Sequence, residues 1–275
     1  MKKQFLDQWA IILGGSSGFG LAAVEKLAAH GMNIAALYRE TSAAERSLKE
    51  KFSGIAAAAN IIIDTYNVNA LDPASRTSFL RQFAARTGRQ HSVRLLLHSI
   101  ARGNLKPLVG APETGHISPA DGDQSILTVD DIRFTTYAMS TSLLDWARLL
   151  LSEGHFQPDA RIIGLTSEGA HKYWDGYAAV SIAKSTLESL VTYMAVELAR
   201  YGLKTNLIQA GISDTPSLKK IPASEELLEL ATRRNPLGRT TRPEDVANVI
   251  YLLCMEEASW INGSIIPVDG GEHCR

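Results

Sequence analysis

Short apolar runs alternate with amphipathic stretches along the whole chain, and this alternation restricts the fold more than any other feature. The runs occupy 9–13 (WAIIL), 33–38 (NIAALY), 60–63 (NIII), 93–98 (VRLLLH), 161–166 (RIIGLT), 204–209 (KTNLIQ) and 264–268 (SIIPV). Between them lie helix-like stretches at 20–30, 41–52, 73–87, 130–153, 178–201 and 243–256. Near-continuous apolar strands are buried on both faces, and intervening helices make each connection a crossover to a parallel neighbour. The expected fold is therefore α/β: a doubly wound parallel sheet of about seven strands in one domain spanning 1–275. No linker, repeat or low-complexity tract interrupts it. One segment breaks the rhythm: 103–125 (GNLKPLVGAPETGHISPADGDQS) is rich in Gly, Pro and Asp and lacks periodicity. A loop of that length is either a substrate-side flap or a surface elaboration.

Composition removes several function classes. Of the 275 residues, 45% are hydrophobic and 21% charged, and the formal net charge is −1. That balance gives no reason to expect nucleic acid or an anionic membrane as partner. The apolar run at 9–13 stops at glycines, too short for a signal sequence or a membrane span. The only cysteines, Cys254 and Cys274, make no disulfide framework, and no Cys/His pair has metal-site spacing. A reducing, cytoplasmic setting and no bound metal are expected.

The first apolar run enters Gly14-Gly15-Ser16-Ser17-Gly18-Phe19-Gly20 and then a helix start. Glycines let the chain turn tightly and bring a helix N-terminus, with its exposed amides, up to a pyrophosphate. The spacing is GxxxGxG rather than GxGxxG, and a purely structural turn is the alternative. In the first βα unit, this turn predicts a Rossmann-like dinucleotide site using Gly14, Ser16, Ser17, Gly18, Phe19 and Gly20. The second run ends Leu37-Tyr38-Arg39-Glu40. Arg39 suits the 2′-phosphate of NADPH through its planar fork, whereas Glu40 suits a free ribose. NADPH is favoured and NADH stays possible; both residues as solvated loop charges is the plain alternative.

Tyr177 and Lys184 stand seven residues apart, almost two helical turns, so both are expected on one helical face about 10 Å apart along the axis. A phenol and an ammonium so placed can polarise a carbonyl oxygen and grip ribose hydroxyls. On an amphipathic helix such a pair also arises by chance. Ser167, closing the fifth run, is a candidate contact to substrate or cofactor, or a cap. Tyr173 is a second phenol, read as a pocket wall or helix-entry residue.

The glycine turn, the Tyr177/Lys184 helix and the tail Pro267-Val268-Asp269-Gly270-Gly271 together resemble the short-chain dehydrogenase/reductase superfamily over nearly the whole chain. The usual Tyr-x3-Lys pattern of that superfamily would put Tyr at 180, where this chain has Val180. Tyr177 with Lys184 instead matches the Tyr-x6-Lys pattern of the enoyl-acyl-carrier-protein reductase branch, closest to its NADPH-using subgroup with a GxxxGxG turn. The segment His98-Ser99-Ile100 resembles that branch too, and implies cofactor contacts from His98, Ser99 and Ile100, mainly through the backbone. The resemblance further implies adenine contacts at Asn67 and Val68, with Asn replacing the usual Asp, carboxamide-holding amides at Gly211 and Ile212, and a phosphate contact at Thr215. Met139 stands where many ketone-reducing members carry Asn. A homotetramer and an acyl-carrier-protein-bound substrate are implied by resemblance alone.

The offset also bears on chemistry. In a ketone, hydride and proton go to neighbouring atoms of one carbonyl. In an enoyl thioester, hydride goes to the β-carbon while charge grows on an oxygen further away. Setting the Tyr back by nearly a turn, with Lys184 fixed on the ribose, moves the donor in that direction. The reading is an NAD(P)H-dependent enoyl-thioester reductase with Tyr177 and Lys184 catalytic and Ser167, Tyr173 and Tyr177 facing substrate. A carbonyl reductase or alcohol dehydrogenase of the same fold and a non-catalytic nucleotide-binding protein are the alternatives. The segment 212–239 is expected on the substrate side, where Lys219, Lys220, Arg233, Arg234 and Arg239 could dock an acidic carrier or form a solvated face.

Overall fold

Strand β1 (Trp9–Leu13) is buried along its full length, which requires cover on both sides. The structure, a computed structural model, describes residues 4–88, 92–110, 125–221 and 223–275. With β1, the strands β2 (Asn33–Tyr38), β3 (Ile63–Asn67), β4 (Val93–His98), β5 (Phe156–Ser167), β6 (Lys204–Ala210) and β7 (Ile265–Val268) form one parallel sheet in the order β3-β2-β1-β4-β5-β6-β7. The order reverses between β1 and β4, the place where open α/β sheets leave a crevice beyond their strand ends.

Alternate residues of the strands feed two separate cores. Ala10 and Ile12 pack with Val24 and Leu27 of α1 (Gly18–Ala29), Phe52 of α2 (Ser42–Ala59) and Ile250 of α8 (Pro243–Leu253). Trp9, Ile11 and Leu13 face the other way, against Phe79 and Phe83 of α3 (Pro73–Thr87), Trp146 of α5 (Ser142–Ser152) and Leu187 of α6 (Ala178–Glu197). A third, smaller core of Leu71, Ala138, Met139, Val180 and Ala183 lies beside Tyr177 and Ile100.

Several elements differ from the sequence reading: β5 begins at Phe156 rather than 161, and α2 runs on to Ala59 rather than 52. The apolar run 60–63 is mostly not strand: Asn60 adopts the left-handed conformation that ends α2, and β3 begins at Ile63. As an edge strand, β3 pairs only with β2 and stays half-buried, so it needs no continuous apolar run. The helix expected over 130–153 is α4 (Val129–Thr136), a π-helical turn at Tyr137–Thr141 and α5. A helix that the periodicity did not mark, α7 (Ser224–Arg234), lies within the segment 212–239. Of the loop 103–125, only 103–110 and Ser125 lie within the described residues. Its start is tied to α4, with Asn104 donating to Thr135 and Asp131 and Lys106 pairing with Asp131 at 2.9 Å.

Candidate active site

A cavity of about 700 Å³ opens beyond the carboxyl ends of the strands. Its floor at β1 is the glycine turn. Gly14 has φ +90°, and a Cβ there would lie 2.4 Å from the Ser99 carbonyl oxygen, so only glycine lets this turn pass under the β4 loop. Gly20 serves another purpose: a Cβ would meet the Gly14 carbonyl at 2.0 Å, so α1 packs directly on the turn. Ser17 is the N-cap of α1 but makes no side-chain cap, leaving first-turn amides directed at the cavity end of the helix. These features fit a dinucleotide pyrophosphate: amides, a helix dipole and no side chain in the way.

Tyr177 lies one residue before α6, as its N-cap, with φ −94° and ψ 2°. The expected shared helical face is thus corrected: the phenol projects from the loop at the helix entrance, and Lys184 from the second turn. Both nevertheless line the cavity. The Tyr177 hydroxyl is 3.4 Å from Ser167 Oγ at the end of β5. Burial pushes the phenol above its ordinary range, and the Ser167 hydrogen bond partly offsets this. Lys184 is 7% exposed and its Nζ donates to the Leu165 carbonyl at 2.6 Å. Burial brings this ammonium down to about 8, against a smaller opposing pull from Glu188 one turn along α6. It stays mostly charged at neutral pH while able to exchange its proton.

Gly14, Ser16, Ser17, Gly18, Phe19, Arg39, Val68, Ser99, Ile100, Gly211, Ile212 and Thr215 line the same cavity. Four expected site residues do not. Gly20 packs the turn as described. Asn67 uses its side chain to pin the Glu40 backbone, through Glu40 N–H to Oδ1 and Nδ2 to the carbonyl, and reaches Glu45 as well. His98 is buried behind the site, its Nε2 at 2.8 Å from Ser142 Oγ. Burial, then the Lys184 charge, lowers its imidazole to about 3, so it is neutral. Tyr173 is 89% exposed and turned outward toward Asp175, while its neighbour Trp174 faces in.

The lining carboxylates Glu168 and Glu272 carried no sequence signal. Glu168, just after Ser167, and Glu272, in the C-terminal tail, both hold Arg234 of α7, the Glu272 pair at 2.8 Å. Glu272 also accepts from the Ile212 amide at 3.4 Å, and burial raises its carboxyl. An ion-paired bridge therefore ties α7 across one side of the cavity. Met139 enters from the π-helical turn, a geometry that often marks functional sites.

A family model described as Enoyl-(Acyl carrier protein) reductase matches residues 14–273. Enoyl-[acyl-carrier-protein] reductase [NADH] FabI of Aquifex aeolicus is 30% identical over 182 residues, which span 66% of this chain and 63% of that enzyme's own length. The uncharacterized oxidoreductase YmfI of Bacillus subtilis is 27% identical over 274 residues, 98% of this chain and 100% of YmfI. Among solved structures, FabI from Candidatus Liberibacter asiaticus shares the fold with a TM-score of 0.80 at 21% identity, covering 100% of this chain and 98% of that one. A short chain dehydrogenase from Burkholderia cenocepacia, solved in complex with NADP, gives 0.78 at 21% identity, covering 98% and 99%. Glycine turn, Tyr177/Lys184 cavity and family match converge: the chain belongs to the enoyl-acyl-carrier-protein reductase branch of the short-chain dehydrogenase/reductase superfamily, and is an oxidoreductase of that family.

Proposed function

We propose that this protein reduces the 2,3-double bond of a trans-2-enoyl thioester with hydride from NADPH. The observation that carries the reading is the Tyr177/Lys184 offset within one cavity, with buried Val180 at the Tyr-x3-Lys position. When bound, the nicotinamide cofactor supplies the hydride. The turn 14–20 and Thr215 would hold its phosphates, Val68, Ser99 and Ile100 its adenosine half, the Gly211 and Ile212 amides its carboxamide, and Lys184 its ribose hydroxyls. Tyr177 then aims its hydroxyl at the thioester oxygen, where negative charge grows as the β-carbon accepts hydride. The Ser167 hydroxyl steadies the phenol, and the Lys184 charge favours the electron-rich transition state. The α-carbon takes its proton from solvent.

Arg39 supports NADPH, although the Aquifex aeolicus relative is named as an NADH enzyme. Glu40 lines the same region and is the residue that would serve NADH. An acyl carrier protein is proposed as the substrate's carrier. Among the described residues, Lys219, Arg234 and Arg239 are ion-paired within the chain, which leaves Lys220 and Arg233 to meet an acidic partner. Assembly as a homotetramer belongs to the same proposal; exposed Leu252, Trp260 and Ile265 around α8 and the β7 edge support self-association.

A second reading, carbonyl reduction, is supported by the Ser167–Tyr177 pair, since two hydroxyls 3.4 Å apart can share one ketone oxygen. NADPH oxidation with a crotonyl thioester against an acetoacetyl thioester separates the two. Turnover of the crotonyl substrate, lost by about 10²–10³-fold in Tyr177→Phe with cofactor affinity kept, is expected. Turnover of the acetoacetyl substrate alone would sink the enoyl reading.

A further inference from the structure

Arg39 follows the end of β2 and Arg102 lies four residues beyond the end of β4, two strand ends that flank β1 in the sheet. Strands two places apart are about 10 Å apart, close enough for two arginine side chains to converge on one group. Both residues line the cavity. The Arg102 guanidinium sits 5.0 Å over the Phe134 ring of α4, a cation–π contact that favours this placement of the side chain. Among the described residues neither arginine has a carboxylate ion partner. Burial, then the charge of Arg39, lowers the Arg102 guanidinium, so the two groups feel one another. Glu40 lines the same region with its backbone pinned by Asn67, which leaves the trio one positive charge in excess. Like charges that converge without a counterion are favourable once a dianion lies between them.

We propose that Arg102 is a specificity-determining residue that, opposite Arg39, grips the 2′-phosphate of the cofactor. The inference rests on the NADPH reading above and adds to it a second guanidinium, supplied by a different loop and held by an aromatic ring. A phosphate monoester has three acceptor oxygens, enough for two planar forks from opposite sides.

Calorimetric titration of the full chain with 2′,5′-ADP and 5′-AMP, and fluorescence titration with NADPH and NADH, test it. Arg102→Ala should weaken 2′,5′-ADP and NADPH about tenfold to a hundredfold, the range for one charge-assisted hydrogen bond. The same variant should leave 5′-AMP and NADH within about twofold, and Arg102→Lys should restore part of the loss. If Arg102→Ala leaves 2′,5′-ADP unchanged while Arg39→Ala weakens it, Arg102 is no part of the site and the NADPH reading survives. Equal weakening of both ligand classes also overturns the inference, since it marks a general structural contact. If the unaltered protein binds 5′-AMP as tightly as 2′,5′-ADP, the NADPH reading itself fails and takes the inference with it.

Discussion

Acid should destabilise this protein through His98, and the size of the effect follows from the site. The ring is 2% exposed and bonded to Ser142, with Lys184 as a charged neighbour, and its folded pKa falls from 6.5 to about 3. In the unfolded chain His98 binds a proton below about 6.5, whereas the folded chain refuses it until about 3. The unfolded state therefore holds more protons across that window, and stability falls as pH falls. At about 1.36 kcal/mol per pH unit per proton, the loss from pH 7 to 5 is about 2 kcal/mol, and to pH 4 about 3 kcal/mol. Urea unfolding at pH 7, 6 and 5 measures it, with His98→Gln as the reference that carries the other titrations but not this one. The variant is expected to be less stable at pH 7, with the gap to the parent closing by about 2 kcal/mol at pH 5. Parallel pH dependence in the two proteins would show that His98 titrates as a solvated imidazole, and the account of its burial would be wrong.

Three further outcomes are expected. Gly14→Ala forces a residue with φ +90° and a Cβ 2.4 Å from the Ser99 carbonyl; backbone strain of about 1–3 kcal/mol lowers the melting temperature. NADPH binding should fall with it, and retention of parental affinity would contradict the turn's role. Lys184, with its pKa brought down to about 8 by burial, loses its charge as pH rises through that value. NADPH affinity should then fall between pH 7 and 9, whereas Lys184→Arg should show a flat profile; fluorescence titration reads both. Away from the cavity, Arg161 is 1% exposed and donates to the Leu253 carbonyl at 2.7 Å and to Asp159 at 2.8 Å. Asp159 keeps Arg94 and Lys204 as partners, so Arg161→Met mainly leaves the Leu253 acceptor unpaired and should cost about 1–3 kcal/mol in urea unfolding, with NADPH affinity unchanged.

The parts legible in the sequence are those set by local pattern. β1, β2 and β4 were bounded correctly because strands buried on both faces must be largely apolar, with β4 tolerating Arg94 and His98 only as hydrogen-bonded exceptions. The GxxxGxG turn was legible because its tight turn and close helix approach exclude side chains, as the Gly14 and Gly20 contacts bear out. β3 was misplaced because an edge strand lacks the second buried face that would mark it. The π-helical turn was invisible, since 137–141 keeps helical amphipathicity while its hydrogen bonds slip.

The sequence by itself determined a doubly wound sheet, a glycine turn at the start of α1 and a Tyr/Lys pair at a spacing of seven. Only the tertiary structure decided which neighbouring side chains face the cavity. It turned Trp174 inward and Tyr173 outward, withdrew His98 and Asn67 into structural hydrogen bonds, and brought Glu168, Glu272 and Arg234 together from distant segments. It also set Arg102 and Arg39 on opposite sides of β1. Spacing along a chain sets the direction of a side chain only within one element. Loop residues and ion pairs between elements are placed by how the sheet and its helices pack, which no local pattern encodes.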